Sequence, residues 1–160
     1  MRKSIFWGPV FFAAVIGVAA SQGAPSPAHI MTTPSELKWG DPPPVFEKGA
    51  GFTVVSGDPS KPGIYVVRLK MPAGYKIAPH WHPKRENVTV LQGTLRVGMG
   101  DKWDNANMAA FPAGSFAYVE PSMHHYAAAE GETVIQIHGP APLEIRYVNA
   151  SDDPSKAKGF

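Results

Sequence analysis

Residues 74–93 read Gly74-Tyr75-Lys76-Ile77-Ala78-Pro79-His80-Trp81-His82-Pro83-Lys84-Arg85-Glu86-Asn87-Val88-Thr89-Val90-Leu91-Gln92-Gly93. Two histidines two apart on a strand point to one face, and Trp81 between them points to the other. After the break at Pro83, a resumed strand would put Glu86, Val88 and Val90 on the face of the histidines. Two imidazoles and a carboxylate on one concave wall make a sound donor set for a first-row divalent ion. A further ligand should come from a strand paired alongside.

The residues around this stretch read as short strands separated by turns. Apolar runs occur at 52–56, 64–71, 88–91, 94–99, 115–119, 125–128, 133–138 and 143–148. Gly57-Asp-Pro-Ser-Lys-Pro-Gly63, Gln92-Gly93 and Glu130-Gly131 are turn signals. Residues 101–110 read as a loop or a short helix. Gly (16) and Pro (17) form about a fifth of the 160 residues, against a helical bundle. Asp41-Pro-Pro-Pro44 cannot lie in a central strand and reads as an extended lead-in, with Trp39 and Phe46 free to pack on the domain. An all-β barrel or sandwich is the expected class.

A second informative segment runs from Gly114 through Glu120-Pro121-Ser122 to His125. On a strand beginning there, His125 shares a face with Ala127 and Ala129, whose small side chains leave room beside an ion. His124 could serve instead if the turn slips by one residue; the spacing from Gly114 favours His125.

These two segments resemble the two motifs of the cupin superfamily. The first follows G-x5-H-x-H-x3-E-x6-G at every fixed position, from Gly74 to Gly93. The second follows G-x5-P-x-G-x2-H-x3-N at Gly114 and His125, with Glu120 in place of Pro, Ser122 in place of Gly and Ala129 in place of Asn. The chain is thus similar to small exported single-domain cupins, over about residues 39–153. The resemblance implies a jelly-roll (double-stranded β-helix) barrel and one divalent metal ion, zinc, manganese, iron, copper or nickel, held by His80, His82, Glu86 and His125. It also implies a dioxygenase-type oxidoreductase, or a metal-assisted lyase or isomerase, acting on a small chelating substrate. Glu86 is then the candidate proton acceptor. Gln136, His138 and Tyr118 are candidates for the substrate pocket, the first two because they share strand parity. The alternative is a non-catalytic module that captures or senses a small ligand, favoured by the small size.

The N-terminus reads as a secretory signal at 1–23. Arg2 and Lys3 precede an apolar run of about 16 residues from Ile5 to Ala20, then small residues. A flexible arm at 24–38, a barrel at 39–150 and a polar tail at 151–160 follow. Loss of the signal leaves 13 basic against 13 acidic residues, so neither nucleic acid nor membrane is an expected partner after cleavage. The expected location is periplasmic or secreted, and a homodimer through a sheet edge is expected. The chain has no cysteine, which excludes disulfides, thiolate chemistry and Cys-ligated metal.

Overall fold

The computed structural model describes residues 31–156. The signal at 1–23 and the first part of the arm lie outside the described residues. Ten strands carry the fold: β1 (Gly51–Ser56), β2 (Ile64–Met71), β3 (Lys76–Trp81), β4 (Glu86–Gln92), β5 (Thr94–Met99), β6 (Ala109–Pro112), β7 (Phe116–Val119), β8 (His125–Ala129), β9 (Thr133–Pro140) and β10 (Arg146–Tyr147). They pair antiparallel in two five-stranded sheets, β1-β2-β9-β4-β7 and β10-β3-β8-β5-β6. This is the expected all-β jelly roll. Among the described residues no helix is long and apolar enough to cross a membrane.

Period-two alternation builds the core. Tyr65, Val67, Leu69 and Met71 of β2 are buried, while Val66, Arg68 and Lys70 between them are only partly covered. Ile135 and Ile137 of β9 and Val88 and Val90 of β4 continue that inner face. Ile77 of β3, Leu95 of β5 and Ala127 and Ala129 of β8 face them from the second sheet. The lead-in packs where its prolines deliver it. Phe46 is buried with its ring 6.3 Å from that of Phe52, and Gly40 bridges to Phe52. The hydroxyls of Tyr75 and Tyr147 donate to the carbonyls of Glu47 and Val45, at 2.6 and 2.7 Å, and strap this segment to the barrel.

The stretch at 101–110 is neither plain loop nor α-helix. Residues Asn105–Asn107 form a 3-10 turn capped by Asp104, and Ala109 begins β6, the edge strand beside β5. The aromatic ring of Tyr126, on the outer face of β8, is sealed beneath this segment against Trp103. The tail at 150–156 forms two short 3-10 turns.

Candidate metal centre

The two sheets meet in chemistry at one end of the barrel. His80 closes the register of β3 against His125, the first residue of β8, and His82 follows β3 directly. A bulge between Ile77 and His80 adjusts the phase that puts both histidines inside. Glu86 enters from the other sheet as the first residue of β4. All four are buried, with relative exposures of 3, 4, 4 and 8% for His80, His82, His125 and Glu86. One ring nitrogen from each histidine lies within 4.8 Å of the others. Glu86 Oε2 stands 3.4 Å from His82 Nε2 and 3.6 Å from His125 Nε2.

Every imidazole is held the same way. Nδ1 of His80, His82 and His125 lies 2.8, 2.7 and 3.1 Å from the carbonyls of Ala78, Glu144 and Met123. A carbonyl accepts only, so each Nδ1 carries a proton and each Nε2 is left turned to the common space, free to offer its lone pair to an ion. His82 Nε2 has no hydrogen-bond partner at all. Lone pairs converging on a carboxylate in a buried space repel one another unless a cation lies among them.

The ionisation states agree. Burial, and then the neighbouring His125 and His82, pushes the pKa of His80 down to about 3, so it stays neutral. Burial works against charge on His82 too, but the Glu86 carboxylate outweighs that cost and raises its pKa. Burial alone would raise Glu86; His82 and His125 instead hold it well below the ordinary carboxylate range. The site therefore gathers imidazoles around an ionised carboxylate and favours positive charge between them. The nearby protein cations are engaged elsewhere: Lys84 donates to the Ala141 carbonyl, and Arg85 pairs with Glu120. The donor set fits one divalent ion on the chemistry of its atoms.

His124 points away from this cluster. Its Nδ1 lies 2.6 Å from Asp101 Oδ1 and its ring stacks on Trp81. We expect His125→Ala to lose its ion and His124→Ala to keep it, measured as metal per chain by elemental analysis. Equal loss in both would show that the ligand is misassigned.

The turn before His125 explains one departure from the family motif. Ser122 stands where the motif has Gly, and its φ is +65°, in the left-handed region. Its N–H donates to the His82 carbonyl at 2.9 Å, tying the two motifs together. A serine there carries strain that glycine does not, so Ser122→Gly should raise the unfolding free energy by about 1 kcal/mol. An unchanged urea midpoint would contradict it.

The substrate-pocket expectation needs correction. Gln136 and His138 share parity as expected, but on the outer face of the sheet. The inner positions of β9 are Ile135 and Ile137, paired with Val90 and Val88 of β4. Gln136 accepts from Arg68 Nε at 3.0 Å, away from the centre. Tyr118 is also outside, 55% exposed beneath the Arg85 guanidinium, because Val119 and not Tyr118 pairs with Glu86. The cavity that His125 opens onto is instead apolar. It measures about 50 Å³, roughly the room of a few waters, and is lined mainly by Val97, Phe111, Val119, Leu95 and Ala127. The sequence reading also missed Tyr65, buried on the inner face of β2, whose pKa is raised by burial and by Glu86. The alternation of β2 carried that signal: Tyr65 continues the row of Val67, Leu69 and Met71.

The profile of the ChrR cupin-like domain matches residues 27–143. The chain belongs to this cupin family. No curated protein matches it. Among solved structures the barrel is similar to the polyketide cyclase RemF from Streptomyces resistomycificus, at 14% identity and TM-score 0.64, covering 80% of this chain and 91% of that one. A putative acetylacetone dioxygenase from Methylibium petroleiphilum PM1 follows at 14% identity and TM-score 0.59, covering 83% and 90%. KdgF from Halomonas sp. is 18% identical with TM-score 0.55, covering 73% and 96%. At such identities these likenesses establish the cupin fold.

Proposed function

We propose that this cupin is a mononuclear metal enzyme, of dioxygenase type, acting on a small chelating enol or hydroxy-ketone. The observation that carries the reading is three imidazoles and an ionised carboxylate buried together beside an apolar cavity. His80, His82, Glu86 and His125 would hold the ion. When bound, a redox-active ion supplies Lewis-acid polarisation of the substrate oxygens and a route for electrons to dioxygen. The backbone carbonyls at 78, 123 and 144 hold the imidazoles in one tautomer. The apolar wall admits the uncharged end of a substrate and excludes bulk water. Glu86 Oε2 accepts the proton that an enol loses. Because Glu86 is a weak base here, only an acidic proton such as that of a chelated enol is within its reach. Tyr65 keeps its proton and can donate at the same end of the barrel.

The resemblances in fold to a cyclase and to a putative dioxygenase support an enzyme without choosing its reaction. The test loads metal-free protein with iron(II), manganese or zinc and offers a β-diketone under oxygen. Oxygen uptake with the redox-active ions, absent with zinc and in Glu86→Gln, is the expected result. Turnover with zinc and no oxygen uptake would mean a lyase or isomerase. Tight binding without turnover under every condition would mean a ligand-capturing module.

We further propose, from the signal-like N-terminal segment, that the mature protein lies outside the cytoplasm and takes up its ion after export, and that it pairs as a homodimer through an open sheet edge. Sequencing the mature N-terminus and sedimentation of the purified protein test these two points.

A further inference from the structure

Met99 ends β5 directly across from His125 in the antiparallel pair. Leu95 on the same strand is buried in the core and Val97 packs against it, so Met99 keeps the inward parity of that row at the barrel rim, just beyond the residues that line the cavity. Gly98, of opposite parity, faces the Tyr126 ring outside the barrel. Directly opposed residues on one face of an antiparallel sheet have Cβ atoms about 4.5–5.5 Å apart, so the Met99 side chain starts beside a candidate ligand. It is nevertheless 54% exposed and takes no place in the core. An unbranched thioether at the rim of the barrel can turn over the site. The unpartnered, buried Nε2 of His82 shows independently that this space calls for a cation.

Resting on the metal-site reading above, we propose that Met99 is a thioether ligand that gives the site a preference for copper(I). Soft sulfur donors select copper(I), whereas imidazole and carboxylate alone also suit zinc, iron and manganese. With no cysteine in the chain, any sulfur bound to copper must come from methionine. Met71 and Met108 are buried, and Met31 is 84% exposed on the arm. Met123, 49% exposed two residues before His125, is the control.

Wild type, Met99→Leu and Met123→Leu are each loaded with copper(I) without oxygen, and separately with zinc. Affinities come from chelator competition and ligand identity from copper X-ray absorption; leucine keeps the side-chain volume. We expect a sulfur scatterer in wild type and Met123→Leu but not in Met99→Leu. Copper(I) affinity of Met99→Leu should fall about tenfold, with zinc affinity unchanged. No sulfur around wild-type copper, sulfur persisting in Met99→Leu, or equal losses for both ions would overturn the proposal while leaving the metal site standing. Wild type that binds neither ion would overturn both.

Discussion

His82→Ala is expected to carry no stoichiometric ion and to melt roughly 10–20 °C below the metal-loaded protein. An ion that binds only the folded chain stabilises it by about 4 kcal/mol when present at 1,000 times its Kd. For a domain of this size each kcal/mol is worth roughly 3–5 °C in Tm. His82 is the ligand whose removal should weigh most. Among the four candidate ligands its Nε2 is a buried ligand atom without a hydrogen-bond partner, and it stands 3.4 Å from the Glu86 carboxylate. Without it, His125 is the one imidazole left within 4 Å of the buried Glu86 carboxylate among the described residues. A chelator separates this from mere loss of packing. Chelation should lower the Tm of wild type toward that of the variant and leave the variant unmoved. A variant that still loses Tm on chelation would place the ion elsewhere.

Gly93→Ala is expected to destabilise the fold by about 2–4 kcal/mol, whereas Gly74→Ala should cost about 1 kcal/mol. Both glycines end the first motif's pattern and both have positive φ, +74° at Gly93 and +76° at Gly74. The left-handed backbone strains any residue with a Cβ, so each substitution carries that cost. Space decides the rest. A Cβ on Gly74 meets nothing within 4 Å, but one on Gly93 would lie 2.3 Å from the Glu132 carbonyl oxygen and 2.8 Å from Thr133 Oγ1. A carbonyl in the turn before β9 cannot swing aside as a side-chain tip would, so the turn between β4 and β5 must move. Urea unfolding of the two variants measures the difference directly. Equal midpoints would mean that backbone strain alone accounts for the glycine.

Much of this was legible because the fold writes itself with period two. The bounds of β2 and β5 match the apolar runs at 64–71 and 94–99. Spacing singles out His80, His82 and Glu86, and the structure sets His125 against His80; but Glu86 faces the histidines from β4 of the other sheet and does not share their wall, because the chain crosses between sheets after Pro83. Two things escaped. β6 is four residues long and mostly exposed, with Pro112 at its end; an edge strand that hydrogen-bonds on one side needs no apolar alternation. The phase of β9 was ambiguous because Val134 and Ile135 are both apolar. Choosing the row of Gln136 and His138 as inner was a one-residue decision that exchanges the two faces. Only pairing with β4, where Val88 meets Ile137, resolves it. Tyr118 failed for the same reason, one residue from Val119.

One ion held by residues of two sheets is the centre of the proposed chemistry. X-ray absorption of the zinc-loaded protein, with metal counted per chain, tests that most directly. One zinc per chain, with outer-shell scattering from three imidazoles that drops in His125→Ala, is the predicted result. A chain that retains no zinc after desalting, or retains it with no imidazole scattering, would contradict it.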